Sequence, residues 1–346
     1  MLKFQTLQKL SPGDKVAVLS PSFAAPGRWP HIHELGLKRL REDFQLEPIE
    51  YPTTRQLGAP KEERAKDLVA AFENPEIKAV ITSIGGDDQI TYVRHLPSEI
   101  FRDNPKPFFG YSDNTHFANH LWLNGVPSFY GGCLFVQFAK TPDPEPFTYR
   151  YLRKALFETE TVALEASETY NDIGVGWDDP AKMSHPRIYE PNEGWHWDAI
   201  EGAAGHTWGG CLESIDEILR HGVAVPTLDQ FAEVVLILET SEEMPGREYV
   251  RRVVRALGER GILAQVQGLL VGRPQSWEFG NPLGKEEKQA YRAGQRETIL
   301  SEFRKYNPRK PVVQNLDFGH SNPQICLPYG RPVSIDPEAQ QIKIDF

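Results

Sequence analysis

In the first half of this 346-residue chain, short apolar runs alternate with amphipathic stretches of about a dozen residues. The runs occupy residues 15–20, 46–51, 77–84, 107–111 and 126–130, and the amphipathic stretches occupy residues 31–44, 61–72, 115–124 and 147–157. Because the runs are rich in β-branched residues and are bounded by Gly, Pro or polar residues, they are typical of buried strands. Strands that alternate with helices form βαβ units, which predicts an α/β fold with a mostly parallel sheet.

The alternation breaks after residues 161–164. Residues 166–202, here called the connecting segment, have little periodicity and carry Trp177, Trp195 and Trp197. Long segments without regular structure tend to be functional, and this one is too aromatic for a solvated linker. We therefore predict an N-terminal domain over residues 1–165, a connecting loop that lies over a binding cleft, and a C-terminal domain over residues 203–346.

The second half returns to the same alternation. Strands are predicted at residues 234–239, 266–272 and 312–316, helices at residues 211–221, 247–260 and 286–305, and β-structure over residues 325–346. A second α/β domain is the simplest interpretation of this order.

Charge and composition exclude several classes of protein. The net charge is −10, from 48 acidic and 38 basic residues, and no basic stripe is present that would bind a nucleic acid polymer. The apolar runs are far too short to cross a bilayer, and residues 1–15 lack the apolar core of a secretory signal. Cys133, Cys211 and Cys326 are few and far apart, which fits a reducing compartment. We expect a cytoplasmic protein that does not bind membranes.

Cofactor and metal motifs are missing from the sequence. No segment matches G-x-G-x-x-G or G-x-x-x-x-G-K-[ST], so no nucleotide cofactor is predicted. His116 and His120 have the spacing of the zinc motif HExxH, but Phe117 stands where that motif has its Glu. A catalytic zinc needs three protein ligands, and no third ligand is apparent. We predict no cofactor and no metal, and we keep a metal hydrolase built on these two histidines as an alternative.

A sharp strand-to-helix turn is predicted at Gly110-Tyr111-Ser112-Asp113. Such a turn lifts a Ser hydroxyl out of the sheet and places it beside the amides of a helix N-terminus, where nucleophiles are often displayed. Ser112 or Asp113 could equally be an ordinary helix N-cap, which is the usual role of these residue types at this position.

A Ser nucleophile needs a base, and the base needs an orienting carboxylate. Glu239 ends the apolar run VVLILE, and His320 lies just past the predicted strand 312–316. Each alone is commonly a strand-terminal charge or a surface histidine. With Ser112 they place one Ser, one Glu and one His just beyond apolar strands, in the chain order of α/β-hydrolases. Position 114 is Asn where the hydrolase motif G-x-S-x-G has Gly, so that fold is not implied.

Gly85-Gly86 follows the predicted strand 77–84. The pair would let the backbone approach a ligand and offer an amide to an oxyanion, or it could simply form a tight turn.

At these residues the chain resembles the LD-carboxypeptidase family of serine peptidases, which includes the microcin-C immunity peptidases. The resemblance covers nearly the whole chain, and Gly-Tyr-Ser-Asp is its most specific part. The matching segments are Ser83-Ile84-Gly85-Gly86, Pro105-Lys106 before Gly110-Tyr111-Ser112-Asp113, Trp208-Gly209-Gly210, Leu236-Ile237-Leu238-Glu239, Gly268-Leu269-Leu270-Val271-Gly272 and Gly319-His320. The resemblance implies an N-terminal three-layer α/β domain and a smaller C-terminal α/β domain, with the site in the cleft between them.

The resemblance also implies the roles of the site residues. Ser112 would be the nucleophile, His320 the general base and then acid, and Glu239 the residue that orients His320. The backbone amides of Gly86 and Asp113 would hold the oxyanion. Members of the family are commonly cytoplasmic dimers, so a homodimer is expected.

Two subgroups of the family differ in substrate. Murein enzymes remove a terminal D-alanine from an L,D-linked tetrapeptide, and immunity enzymes cut the amide between an aminoacyl or peptidyl carbonyl and a modified nucleotide. The aromatic connecting segment favours an immunity-like peptidase, because indoles stack well on purines, although these Trp side chains could instead pack the loop. The residues predicted to bind substrate are Gly85, Asp87, Trp177, Trp195, Trp197 and Cys211, the last of which stands where the family often has Asn.

Two functions therefore remain beside the one favoured. A murein tetrapeptide carboxypeptidase is the alternative within the family. A non-catalytic, ligand-binding α/β protein is the alternative from another class, and it would lack an activated Ser.

Overall fold

A computed structural model describes residues 3–346 of the chain. Its strands form a six-stranded sheet, an eight-stranded sheet and a two-stranded ribbon. The strands are β1 (Lys15–Leu19), β2 (Glu47–Glu50), β3 (Ile77–Thr82), β4 (Phe108–Gly110), β5 (Ser128–Tyr130), β6 (Thr161–Ala163), β7 (Thr169–Tyr170), β8 (Glu190–Pro191), β9 (His196–Asp198), β10 (Ala203–Cys211), β11 (Val234–Glu239), β12 (Gly268–Gly272), β13 (Val312–Leu316), β14 (Leu327–Tyr329), β15 (Pro332–Asp336) and β16 (Gln341–Asp345).

Helices connect most of these strands. They are α1 (Ala25–Arg28), α2 (Pro30–Glu42), α3 (Lys61–Glu73), α4 (Ile90–Val93), α5 (Ser98–Asp103), α6 (Thr115–Leu123), α7 (Pro146–Phe157), α8 (Pro180–Met183), α9 (Leu212–His221), α10 (Leu228–Phe231), α11 (Arg247–Glu259), α12 (Ile262–Gln265) and α13 (Lys285–Tyr306), with a 3₁₀ turn at Ser112–Asn114 and a π-helical turn at Leu134–Phe138. Within residues 3–346, no helix is long and apolar enough to cross a membrane.

The first sheet has the order β14-β5-β4-β3-β1-β2, and all its pairings are parallel except β14 with β5. Alternate residues of its central strands enter two separate cores. Val16 and Val18 of β1 pack in one core with α2, whereas Ala17 and Leu19 pack in the other with α3 and α6. Helices therefore cover both faces, which is the three-layer arrangement that buried parallel strands require.

The second sheet has the order β6-β16-β15-β10-β11-β12-β13-β9. Its four central strands, β10 to β13, are parallel, and the strands on either side of them are antiparallel. The α/β class and the two-domain organisation predicted from the sequence are confirmed.

The two sheets exchange strands. β14, from the C-terminal half of the chain, pairs with β5 in the first sheet, whereas β6 pairs with β16 and β9 pairs with β13 in the second. The domain limits 1–165 and 203–346 stay a prediction, since each half contributes a strand to the sheet formed mainly by the other.

The connecting segment is ordered by buried polar contacts as well as by β7, β8 and β9. The carboxylate of Asp317, fully buried, accepts hydrogen bonds from Ser167 N at 3.0 Å and from Trp195 Nε1 at 3.2 Å. Arg273, also buried, forms an ion pair with the same carboxylate. The segment is thus tied at both ends to the second sheet.

Strand β10 was not predicted from the sequence, although the helix after it was. Glycine is uncommon inside strands, so this stretch does not look like a strand in the sequence. The glycines are present because neighbouring atoms leave no room for a side chain. Gly209 has φ +138°, and a Cβ there would lie 1.9 Å from the carbonyl oxygen of Ile237 on the adjacent strand. Gly210, at φ +129°, lies against Thr115 at the start of α6. The glycines therefore let β10 pack closely against both β11 and the first domain.

We expect Gly209→Ala to destabilise the protein severely, because its Cβ would collide with backbone in addition to the cost of a positive φ. The loss should exceed about 4 kcal/mol, the range of the most damaging single substitutions. Gly13→Ala is the matched control, since Gly13 has φ +89° but open space around its Cβ position. That change should cost only about 1–2 kcal/mol. Thermal denaturation of both variants tests this, and equal losses would contradict it.

Candidate active site

Ser112 lies at a strained turn between β4 and α6. Its φ is +62°, in the left-handed region that a residue with a side chain rarely adopts. Non-Gly residues persist there only when their surroundings hold them, and such residues cluster at functional sites. The sharp turn predicted from the sequence is therefore present, and the role of Ser112 as a nucleophile stays a prediction.

Asn114 explains how the turn is held. Its side chain donates to the carbonyl oxygens of Ile84 and Tyr111, both at 3.1 Å, and accepts from Gln89 Nε2 at 3.1 Å. Gly110 makes room for it, because a Cβ there would lie 2.9 Å from that of Asn114. The Asn at the position where hydrolases have Gly is therefore a structural tie between the turn and the end of β3.

Gly85 and Gly86 lie directly against this turn. A Cβ on Gly85 would lie 2.8 Å from Ser112 Cβ, and one on Gly86 would lie 1.9 Å from Ser22 Oγ. The carbonyl of Gly85 accepts a hydrogen bond from Phe23 N at 3.0 Å. Because the peptide is planar and trans, the N–H of Gly86 points to the opposite side from that carbonyl.

Asp113 is anchored away from solvent by its side chain. Its buried carboxylate accepts hydrogen bonds from Ser22 Oγ and from Gln89 N, the latter at 3.0 Å. Burial raises the pKa of Asp113, although the nearby His116 and these hydrogen bonds act against it. Fixing this side chain fixes the peptide that follows Ser112.

Glu239 and His320 form a close pair. Glu239 Oε2 lies 2.7 Å from His320 Nδ1, and Tyr130 donates its hydroxyl to Oε1 at 2.5 Å. Burial raises the pKa of Tyr130 well above its usual value, so its hydroxyl stays a donor. Gly319, at φ +100°, admits the pair, because a Cβ there would lie 2.5 Å from Glu239 Oε2. The carboxylate is thus buried with both oxygens satisfied.

Glu242 lies on the other side of the same imidazole. Its Oε2 is 3.2 Å from His320 Nε2, and its side chain is 65% exposed. Burial lowers the pKa of His320, but the carboxylates of Glu239 and Glu242 and the hydrogen bond to Glu239 outweigh it and raise this pKa to about 9. The two carboxylates therefore favour the protonated form of the ring, which lies between them.

Ser112, Gly86 and His320 line one cavity of about 810 Å³ between the two domains. The volume lies within the usual range for small-molecule sites. Within residues 3–346, Ser112 Oγ forms no hydrogen bond. The hydroxyl of Ser112 and the imidazole of His320 therefore line the same cavity but are not hydrogen-bonded to each other. Gly85, Asp87 and Glu242 also contribute to its wall.

Of the three predicted Trp residues, Trp177 lines this cavity. Its ring packs edge-on against Trp29 at 5.0 Å and Phe135 at 5.3 Å between centroids. Trp195 instead donates to the buried Asp317, and Trp197 lies in β9 opposite Val313. Neither is among the residues of the described chain that line the cavity.

Cys211 is also not among the described residues that line the cavity. Its amide donates to Thr115 Oγ1 at 3.3 Å, and its thiol donates to Glu213 Oε2 at 3.2 Å. Burial, together with Glu239 and Glu213, raises the pKa of the thiol well above its usual value. The residue acts as a buried neutral neighbour of Glu239.

His116 and His120, the two histidines considered as metal ligands, have different surroundings. His116 Nε2 lies 3.1 Å from Glu217 Oε2 and 3.5 Å from Asp113 Oδ1, and these three residues offer ligand atoms within 4.8 Å of one another. His120 packs against Phe101 and Phe117, and burial lowers its pKa to about 4. The group of possible ligands around His116 therefore does not include His120. The carboxylates contact only Nε2 of His116, and its buried Nδ1 has no hydrogen-bond partner among residues 3–346.

Glu242 and Tyr130 are the site residues that the sequence analysis missed. Glu242 lies in an acidic stretch three residues after Glu239, and Tyr130 ends a strand. Position at or just beyond a strand end was the signal used for the other site residues, and it applies to both.

Comparison with known proteins gives the family. Residues 16–131 match the LD-carboxypeptidase N-terminal domain and residues 204–335 match the LD-carboxypeptidase C-terminal domain. The chain therefore belongs to the LD-carboxypeptidase family, and it is a serine peptidase. The family predicted from the residues is confirmed.

The relatives of this chain include a microcin self-immunity protein and a murein peptide carboxypeptidase, one from each subgroup. The microcin C7 self-immunity protein MccF of Escherichia coli is 22% identical over 82% of this chain and 78% of its own length. The probable murein peptide carboxypeptidase of Bacillus subtilis (strain 168) is 23% identical over 94% of this chain and 90% of its own. The crystal structure of an MccF-like protein from Streptococcus pneumoniae in complex with AMP superposes with a TM-score of 0.84, at 26% identity, over 96% of this chain and 99% of that one.

Removing the charge of Glu242 should lower the pKa of His320, since that carboxylate is one of the groups that raise it. We expect Glu242→Gln to shift the pKa down from about 9 by roughly one unit, because the exposed side chain is partly screened. Titration of the imidazole by NMR measures this. The neighbouring Glu243→Gln is the control and should leave the pKa unchanged; equal pKa values in the two variants would contradict the assignment.

Proposed function

We propose that the protein hydrolyses the amide bond between an aminoacyl or peptidyl carbonyl and a modified nucleotide, through Ser112, His320 and Glu239. One observation carries the proposal: a strained Ser turn from one domain and a Glu–His pair from the other open onto one cavity. Activated serine nucleophiles have these three parts.

In this mechanism Ser112 Oγ attacks the substrate carbonyl and His320 Nε2 accepts its proton. The amides of Gly86 and Asp113 stabilise the oxyanion that forms. His320 then donates the proton to the leaving nitrogen, and water releases the acyl group by the same steps in reverse order. Glu239 holds the Nδ1–H tautomer and stabilises the imidazolium, as its 2.7 Å contact allows.

Glu242 adds a requirement to this mechanism. Its carboxylate lies 3.2 Å from Nε2, the atom that must face the Ser hydroxyl. Nε2 must be free of this contact before it can accept the proton of the Ser hydroxyl. Substrate binding must therefore move Glu242 away from Nε2, and this exposed side chain is free to turn toward solvent.

Aromatic side chains in the cavity wall support a nucleotide over a murein peptide. Trp177, Trp29, Phe23 and Phe135 give the cavity flat, apolar surfaces that suit a base. The Streptococcus pneumoniae relative binds AMP. The murein tetrapeptide remains the alternative substrate, supported by the name of the Bacillus subtilis relative.

Ser112→Ala should reduce hydrolysis by at least about 10⁴-fold, because removal of a catalytic nucleophile leaves only binding and oxyanion stabilisation. A fluorophosphonate probe should label the wild-type protein and neither Ser112→Ala nor His320→Ala. The control is His221→Ala, which alters an exposed histidine at the end of α9. Labelling that survives loss of Ser112 would refute its role, and a wild-type protein that does not label would favour a binding protein.

Trp177→Ala should raise KM for an aminoacyl-sulfamoyl adenosine by about tenfold or more, since a stacked base is worth about 1–3 kcal/mol. Trp177→Phe should recover part of this loss. Trp197→Phe is the matched control, because Trp197 lies in β9 and outside the cavity wall. A murein tetrapeptide is assayed beside it, and faster turnover of the tetrapeptide would overturn the choice of substrate.

A further inference from the structure

Two cationic side chains line the cavity in addition to the groups already described. Lys140 follows the π-helical turn Leu134–Phe138, and Arg187 lies in the connecting segment. Both are partly buried. They come from different parts of the chain and meet in the wall of the same cavity as Ser112 and His320.

Neither cation forms an ion pair within 4.0 Å with a described carboxylate among residues 3–346, and Glu145 acts on Lys140 only as a smaller electrostatic effect that raises its pKa. Arg187 donates to Thr141, from Nε to the carbonyl at 2.8 Å and from Nη2 to the hydroxyl at 2.7 Å. The Lys140 ammonium donates no hydrogen bond to any described residue, whereas its carbonyl accepts one from Arg39.

Other cations withdrawn from solvent in this protein have partners of two kinds. Arg64 is bound by Asp88, Arg273 by Asp317 and Lys288 by Asp172, whereas Arg39 and Lys106 donate to backbone carbonyls. A charge taken from water without a partner is unfavourable, and proteins normally avoid it or use it to bind a ligand. Among residues 3–346 the Lys140 ammonium has neither kind of partner, and Arg187, which acts on it electrostatically, has no ion pair.

The two charges also act on each other. Burial first, and then the charge of Arg187, lower the pKa of Lys140 to about 7. Burial also lowers the pKa of Arg187. An anion placed between them would relieve both the desolvation and the mutual repulsion, and Arg187 is held ready for it by Thr141.

We infer that Lys140 and Arg187 form an anion subsite of the substrate cavity, which binds an oxyanion group of the substrate, a phosphate or a carboxylate. The assignment of this anion to a substrate rests on the proposed function. The binding of an anion by Lys140 and Arg187 does not depend on it. Asp87 and Glu242 give other parts of the wall a negative charge, so the anionic group of a ligand is directed to the Lys140–Arg187 part.

The direct test measures binding of AMP and of adenosine to the Ser112→Ala protein by calorimetry. We expect AMP to bind about tenfold more tightly than adenosine, because the two ligands differ by the phosphate that a cation pair would hold. Lys140→Met in the same background should remove most of that difference, and Arg187→Lys, which keeps the charge, should retain part of it. Lys38→Met, at an exposed lysine of α2, is the control for net charge.

A second arm identifies the source of the anion. Binding of a peptide with a free C-terminal carboxylate is compared with binding of its amide, again with and without Lys140→Met. A difference confined to AMP assigns the subsite to a phosphate, and one confined to the peptide assigns it to a carboxylate. If Lys140→Met changes neither ratio by more than Lys38→Met does, the inference is overturned.

Labelling by the fluorophosphonate probe separates this inference from the proposed function. Lys140→Met with Ser112 intact should still be labelled, whereas Ser112→Ala should not, because the probe reacts with the nucleophile. A wild-type protein that fails to label while AMP still binds more tightly than adenosine would refute the proposed function and leave the anion subsite standing.

Discussion

The buried carboxylate of Asp317 holds together the parts of the structure that make the site. It lies just after β13 and three residues before His320, and it binds Arg273, which directly follows the neighbouring strand β12. Ser167 and Trp195 reach it from the two ends of the connecting segment. A charge so deeply buried is stable only with all its partners, so its loss would leave the others unsatisfied. The connecting segment and the loop that leads to His320 are therefore anchored at one side chain.

Much of this arrangement follows from local sequence, and the exceptions have physical causes. Strands β1, β3 and β11 are short apolar runs, so their positions and the residues just beyond them, Glu239 among those, could be predicted. β10 could not, because its glycines serve contacts with β11 and α6 that lie far away in sequence. Aromatic composition predicted a functional connecting segment but not the direction of each ring, so Trp177 faces the cavity while Trp195 turns to Asp317. The roles of the site residues stay predictions.

Charge is distributed unevenly around the cavity. Glu239 and Glu242 contact the imidazole from opposite sides, whereas Lys140 and Arg187 contribute positive charge elsewhere in the wall. Because Glu242 lies 3.2 Å from Nε2 of His320, this nitrogen is not free to face the hydroxyl of Ser112. In the proposed mechanism, a ligand that fits the wall and displaces Glu242 would complete the arrangement, which would make reactivity a consequence of fit.

The exchange of strands between the two sheets bears on how such a protein can evolve. β14 completes the edge of the first sheet, and β6 and β9 complete the two edges of the second. Either domain produced alone would expose an open strand edge, which invites pairing with other chains. The two domains are thus separate in architecture but not interchangeable as modules, and changes of specificity are accommodated best in segments that leave the exchanged strands in place. Residues 171–189, between β7 and β8, form one such segment, and they contribute Trp177 and Arg187 to the wall of the cavity.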